Sequence, residues 1–304
     1  MKIAAMGAGG VGGYFGARLH QAGHEVVFFA RGRHLAAIRD NGLTIESPQG
    51  NARLKVKVLE DPAQAGTVDA VIFAVKLWDT ESAAAQIKPL IGKQTIVIPF
   101  QNGVESIDLL RKTLPESAVM GGSAYIATRV REPGVIEHTG PMSRLQFGTL
   151  LPSQQRPADA FLAACRQAGI NAELCDDILR ANWEKFVFLI GVSSATAATR
   201  SPLGRVRGDA DMRWLFGEAM RETWRLARAR GIALPDDFVE SRLAFAETLH
   251  AEMRASLLHD LEAGHKLEAP WLCGAVARMS AQAGLDAPVN RAVFASLKPF
   301  VDGR

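Results

Sequence analysis

Lys2-Ile3-Ala4-Ala5-Met6-Gly7-Ala8-Gly9-Gly10-Val11-Gly12 decides the fold. Residues 2–6 are a short apolar run with strand character. Gly7, Gly9 and Gly12 then fit G-x-G-x-x-G, and residues 11–22 have helical composition. Residues 24–30 follow as a β-branched and aromatic run. Strand, glycine turn, helix and second strand in that order, within about thirty residues, are the signature of a dinucleotide-binding unit. Each glycine has a task in such a turn. Gly7 permits the tight bend, Gly9 lets the backbone approach a pyrophosphate, and Gly12 lets the helix lie close to the sheet. Gly7, Ala8, Gly9, Gly10, Val11 and Gly12 are therefore the expected phosphate cradle, with the helix N-terminus supplying N–H donors and positive partial charge.

Outward from this turn the alternation continues. Residues 33–41 read as a helix closed by Gly42. Residues 68–75 form a continuous apolar run suited to a strand buried on both faces. Residues 78–87 read as a helix, residues 95–99 as another buried strand and residues 104–114 as a helix. This is the pattern of a doubly wound parallel sheet. Residues 43–45, 52–58 and 143–148 read as antiparallel or edge pieces. A helix over 158–169 and a short strand near 171–175 complete the first part. Beyond Asp177 strand patterns nearly vanish, and residues 178–199, 209–231, 236–262, 270–284 and 289–300 read as helices punctuated by Pro and Gly. The expected architecture is α/β: an N-terminal Rossmann-like sheet domain over residues 1–176, then an all-helical domain over 177–304.

The end of the second strand bears on the cofactor. An NAD enzyme usually carries Asp or Glu there to bind the ribose hydroxyls. This chain has Ala30-Arg31-Gly32-Arg33 instead. Guanidinium groups at that point suit a 2′-phosphate, so NADP(H) is the expected cofactor and Arg31 its expected ligand. The other reading of the pair is two solvated arginines opening a helix.

Composition removes several other classes. The chain has 304 residues and a net charge of +3, with no basic arm and no basic–aromatic alternation of the kind nucleic acid requires. Cys165, Cys175 and Cys273 are an odd, widely spaced set, which argues against a disulfide framework and a zinc site and for reduced thiols in a cytoplasm. The seven histidines show no metal-ligand spacing, and no metal is expected. The apolar start, broken by Arg18 and His20, reads neither as an export signal nor as a membrane span.

The sequence resembles the ketopantoate reductase (2-dehydropantoate 2-reductase) family over nearly its whole length. The resemblance is carried in order by Gly7–Gly12, Arg31, residues 74–78 (Ala-Val-Lys-Leu-Trp), Gln101-Asn102-Gly103, Trp183-Glu184-Lys185, and residues 256–260 (Ser-Leu-Leu-His-Asp) with Glu268 eight residues on. It implies an NADPH-dependent oxidoreductase that reduces ketopantoate to pantoate for pantothenate biosynthesis, with its active site in a cleft between the two domains. It implies Lys185 as general acid and Asn102 as the residue keeping the lysine and nicotinamide in register. Lys76 would line the cofactor site, and Ser256 and Glu268 would hold the substrate. A monomer or a homodimer is implied, with a small 2-oxo acid as the partner. Elementary chemistry agrees: hydride addition builds negative charge on the ketone oxygen, and an ammonium both polarises that oxygen and protonates it. From the residues alone, Lys185 reads equally as a helix lysine lying over its apolar neighbours Phe186, Val187 and Phe188.

One departure stands out. The family usually places asparagines four and eight residues after the lysine, on the same helix face. Here Leu189 and Ser193 stand there, with Ser193 the remaining candidate for a polar substrate contact. The alternative readings are a paralogue reducing a different 2-oxo acid and a non-catalytic NADPH-binding sensor.

Overall fold

The structure is a computed structural model and describes residues 1–304. Its contacts divide the chain into two compact units, Met1–Ile178 and Leu179–Arg304.

The first unit contains, in chain order, β1 (Lys2–Met6), α1 (Gly10–Gln21), β2 (Glu25–Phe29), α2 (Gly32–Asn41), β3 (Leu43–Glu46), β4 (Ala52–Leu54), β5 (Lys57–Leu59), β6 (Val68–Phe73), α3 (Thr80–Gln86), β7 (Ile91–Pro99), α4 (Ser106–Arg111), β8 (Gly121–Glu132), β9 (Val135–Gly148), α5 (Gln155–Gln167) and β10 (Asn171–Leu174). Five strands form a parallel sheet in the order β5-β2-β1-β6-β7. This is a Rossmann-like sheet, as the strand–helix alternation implies. Strand periodicity sends alternate side chains to opposite faces, and the two faces bury different partners. Ile3, Ala5, Phe28, Ile72 and Ile98 pack with Phe15 and Leu19 of α1 and Phe161 and Cys165 of α5. Ala4, Met6, Phe29, Val71 and Val97 pack with Ala83 and Ala84 of α3 and Ile107 and Leu110 of α4. Because both faces are covered, the paired stretches 3–6, 26–29, 70–73 and 96–99 are apolar throughout.

A second sheet, β10-β9-β3-β4 with β8 paired antiparallel along β9, joins the core on the α1 and α5 side through Leu43, Ile45, Ile136, Leu145 and Phe147. Three expectations are corrected here. The edge piece expected at 143–148 is only the end of a long hairpin, β8–β9, that turns at Gly134 with φ +83°. The piece expected at 52–58 is two strands: β4 pairs antiparallel with β3, whereas β5 joins the first sheet parallel to β2. Of the helix expected over 104–114, only Ser106–Arg111 is α-helical.

The second unit is helical: α6 (Ile178–Thr199, whose first residue belongs to the first unit), α7 (Leu203–Gly208), α8 (Ala210–Ala229), α9 (Phe238–Glu247), α10 (Ser256–Ala263), α11 (Cys273–Gln282) and α12 (Pro288–Leu297). The single helix expected over 236–262 is two, α9 and α10. The break is secured by Arg207 of α7, which donates to the carbonyls of Ala246 and of Leu249, the latter at 3.0 Å. Gly191 of α6 lies so close to Phe216 and Met220 of α8 that a β-carbon there would collide with both. The buried Glu222 of α8 accepts hydrogen bonds from the first N–H groups of α12, Val289 and Asn290, each at 2.8 Å, and from the Asn290 amide at 2.7 Å. A carboxylate at a helix N-terminus meets both the orphan donors and the positive end of the dipole. No helix is long and apolar enough to cross a membrane.

Candidate active site

The parallel sheet gathers the expected cofactor residues by register. Met6 pairs with Phe29 on one side and Phe73 on the other, and Phe73 pairs with Pro99. These four residues form one row at the carboxyl edge of the sheet. Gly7 follows the row by one residue on β1, Arg31 by two on β2, Lys76 by three on β6 and Asn102 by three on β7. The row extends through backbone bonds beyond the strands: Ala8 N–H donates to Phe29 O, Ala74 N–H to Met6 O and Phe100 N–H to Phe73 O, each at 2.9 Å. Ligands of open α/β sheets bind outside this carboxyl edge.

The glycine turn is built as the spacing implies. Gly7 has φ +92°, and a β-carbon there would sit 2.8 Å from the Ala74 carbonyl oxygen. At Gly12 a β-carbon would collide with the Gly7 carbonyl and meet Ala74 Cβ at 3.2 Å. Gly9 is different, since a β-carbon there would have nothing within 4 Å. Gly9 is the N-cap of α1 and offers no side-chain cap. An uncapped helix N-terminus beside open space fits the phosphates of a dinucleotide. Gly10 and Gly13 have a further role absent from the motif reading: they let α1 press against Thr128 of β8 and Ile136 of β9.

Three residues that the sequence left unassigned complete this edge. His34 of α2 joins Gly134 N–H, received at Nδ1 at 3.0 Å, to the Ala8 carbonyl, 2.8 Å from Nε2. Only the tautomer with hydrogen on Nε2 satisfies both bonds. The buried Gln101 donates through Nε2 to Val75 O at 2.8 Å and Thr80 Oγ1 at 2.9 Å, fixing the turn after β6. In that turn Asp79 Oδ2 lies 2.6 Å from Arg31 Nη2. Gln101 sits inside a quoted motif and was legible there; His34 and Asp79 depend on tertiary neighbours that no local pattern announces. Lys76 Nζ lies 5.6 Å from the centre of the Trp78 ring.

In the helical unit Lys185 lies on α6 between the buried Trp183 and Phe186, whose rings meet edge to face at 5.6 Å. Burial lowers the Lys185 ammonium to about 8, and the Glu268 carboxylate acts in the opposite direction. Glu268 itself is buried at the start of a 3-10 turn, Ala269–Trp271. Leu189 and Ser193 follow Lys185 at helical spacing. The Ser193 hydroxyl is buried without a hydrogen-bond partner, as is Asn182 Oδ1 three residues before the lysine. Asn182 is a further candidate that no motif marked; its signal was a polar side chain one turn before the lysine on the same helix. Ser256 is the exposed first residue of α10, whose N-cap Ala255 makes no side-chain cap bond.

Comparison with known proteins gives the family. The model of the family described as "Ketopantoate reductase PanE/ApbA" matches residues 3–152, and that of its C-terminal part matches residues 177–300. The chain belongs to the ketopantoate reductase family. A 2-dehydropantoate 2-reductase of Archaeoglobus fulgidus is 30% identical, over 96% of this chain and 95% of its own. An oxidoreductase of Bacillus subtilis, YkpB, is 28% identical over 99% of each chain. The crystal structure of a PanE/ApbA family ketopantoate reductase from Ralstonia eutropha JMP134 superimposes with a TM-score of 0.89 at 34% identity, covering 99% of this chain and 98% of that one. A D-mandelate dehydrogenase bound to NADH and anilino(oxo)acetate shares the fold, with a TM-score of 0.91 at 22% identity. As a member of the ketopantoate reductase family, this chain is an NAD(P)-dependent oxidoreductase acting between a ketone and its alcohol.

Proposed function

We propose that this ketopantoate reductase homologue uses NADPH to reduce 2-dehydropantoate to pantoate, the pantothenate-pathway reaction. The observation that carries the reading is Lys185, an ammonium lowered by burial to about 8 and supported by Glu268. A general acid works best with a pKa near the operating pH. At pH 7 such a lysine is still mostly protonated, yet it gives up its proton far more readily than a solvated one. The 2-dehydropantoate 2-reductases at 25–30% identity over nearly the whole chain support the substrate.

In this reading the turn from Gly7 to Gly12, with Ala8, Gly10 and Val11 between, holds the dinucleotide phosphates, Arg31 the 2′-phosphate, and Lys76 and Asn102 the cofactor edge beyond β6 and β7. The dinucleotide supplies the hydride when bound. Lys185 polarises the keto oxygen and delivers its proton there, leaving a neutral amine that regains a proton from solvent. Glu268 keeps the ammonium charged and oriented and accepts a substrate hydroxyl. Ser256, with the uncapped first turn of α10, receives the substrate carboxylate, and the unpartnered Ser193 hydroxyl a polar group at the other end. A cytoplasmic setting keeps the three free thiols reduced, and the enzyme works as a monomer or a homodimer.

A second reading follows from Leu189. Its side chain has no hydrogen-bonding group where the family usually presents an amide, so a 2-oxo acid without a distal hydroxyl would be the better substrate. Steady-state NADPH oxidation with ketopantoate, against 2-oxoisovalerate and pyruvate, tests both. Selectivity for ketopantoate of about a hundredfold in kcat/KM, some 2.7 kcal/mol, supports the first reading. Equal or reversed rates support the second, and NADPH binding without turnover on any of the three points to a sensor.

A further inference from the structure

The guanidinium read as the 2′-phosphate ligand already has a carboxylate partner. Arg31 Nη2 lies 2.6 Å from Asp79 Oδ2, with the arginine side chain 74% exposed and the aspartate 22%. Asp79 does not come from β2. It closes the 3-10 turn Leu77–Asp79 after β6 and stands at the N-cap of α3. An aspartate at that position ordinarily accepts the first N–H groups of its helix, but Asp79 makes no such bond; its carboxylate bonds to Arg31 instead. The turn that presents it is fixed on several sides. Asp79 N–H donates to Lys76 O at 2.9 Å, Thr80 Oγ1 to Leu77 O at 2.8 Å, and Gln101 ties Thr80 to Val75. The carboxylate is therefore carried on a short side chain from a braced turn, while the guanidinium sits on a long, exposed stem.

That arrangement acts in opposite directions on the two dinucleotides. Against a 2′-phosphate, Asp79 competes for the Arg31 donors and repels a nearby dianion. Toward a 2′-hydroxyl it is a hydrogen-bond acceptor, the part taken in NAD enzymes by a carboxylate at the end of the second strand. That strand end offers none here, reading Ala30-Arg31-Gly32-Arg33. We propose that Asp79 is a cofactor-specificity residue: its carboxylate, delivered from the β6 turn instead of from β2, opposes Arg31 and narrows the preference for NADP(H) over NAD(H). The inference rests on the reading of Arg31 as the 2′-phosphate ligand.

An ion pair this exposed adds little to stability, so removing the Asp79 charge leaves the fold in place. The test is direct titration of NADPH and NADH, followed by nicotinamide fluorescence without substrate, on the parent chain, Asp79→Asn and Arg31→Ala. Asp79→Asn is expected to tighten NADPH about tenfold, the scale of a short-range charge repulsion in water, and to leave NADH unchanged or weaker. The ratio of the two dissociation constants is the readout, because a loss of folded protein would move both together. An unchanged or reduced preference for NADPH in Asp79→Asn overturns the inference. Arg31→Ala separates the two levels. If it weakens both dinucleotides equally, the phosphate reading of Arg31 fails and the inference with it. If it weakens NADPH selectively while Asp79→Asn leaves the ratio alone, only the role of Asp79 fails.

Discussion

Glu268 raises the Lys185 ammonium against the burial that lowers it to about 8. The two effects have opposite signs, so removing the carboxylate charge lets burial act alone. As a general acid the lysine must carry its proton, and turnover should fall as pH rises through about 8. In Glu268→Gln that basic limb should move to lower pH, and a shift of one unit would cost about tenfold in kcat on the falling limb. The pH profile of kcat for NADPH oxidation checks this. A basic limb that stays in place would show that Glu268 does not set the acid.

The glycine turn separates stability from binding. Gly9 faces open space whereas Gly12 abuts the Gly7 carbonyl and Ala74. Gly9→Ala should cost the fold less than about 1 kcal/mol, as an N-cap change does, yet weaken NADPH at least tenfold by placing a methyl where the phosphates approach. Gly12→Ala should lower the melting temperature by several degrees, since overpacking costs about 1–3 kcal/mol. Thermal denaturation and cofactor titration on the same two variants decide it; a stable Gly12→Ala, or a Gly9→Ala that binds normally, would remove the distinction.

How far the sequence showed this in advance depends on where each signal resides. The β1–α1–β2 unit was legible because its glycines, strand and helix are all local, and the buried strands β6 and β7 because their apolar stretches 70–73 and 96–99 have few other uses. The β8–β9 hairpin was largely missed. Its outer half, from Ala127 to Ser143, is mostly exposed and interrupted by Arg129, Arg131, Glu132 and Glu137, so the apolar alternation that marks a strand is weak. The break between α9 and α10 carries neither Gly nor Pro over residues 248–255; Arg207, from a different helix, holds it. At the candidate site Arg31 could be read from the strand end, but Asp79 opposite it is a tertiary partner 48 residues away. Leu189 and Ser193 were legible as departures only because the family supplied something to depart from.

His34 offers a test of how the phosphate turn is held. Its ring spans the Ala8 carbonyl and the Gly134 N–H, and so links the dinucleotide loop to the tip of the β8–β9 hairpin. In His34→Ala both groups lose their partner, at about 1 kcal/mol each. NADPH affinity should fall about five- to tenfold through a looser loop, with NADH falling equally because the 2′-phosphate is not involved. His34→Gln, whose amide carries both a donor and an acceptor on a more flexible stem, should recover part of the loss. Cofactor affinity unchanged in His34→Ala would show that the glycine turn holds its shape unaided.

Leu189 and Ser193 give the sharpest prediction about substrate. They lie on the Lys185 face of α6, and the Ser193 hydroxyl is buried with no partner in the free chain. An unpaired buried hydroxyl is a cost to stability, so Ser193→Ala should leave the melting temperature unchanged or raise it. If a substrate group supplies the missing bond, the same change should lower kcat/KM about tenfold for a substrate that reaches it, the value of one buried hydrogen bond. Leu189→Asn should act oppositely, restoring a polar group one turn nearer the lysine. It is expected to favour ketopantoate over 2-oxoisovalerate, which lacks the distal hydroxyl, by about tenfold or more relative to the parent chain. Stability and selectivity moving in opposite directions in Ser193→Ala would identify the serine as a substrate contact. A gain in stability with no change in selectivity would leave it a core residue, and a Leu189→Asn variant with unaltered preference would place the selectivity of this enzyme elsewhere on the helical unit.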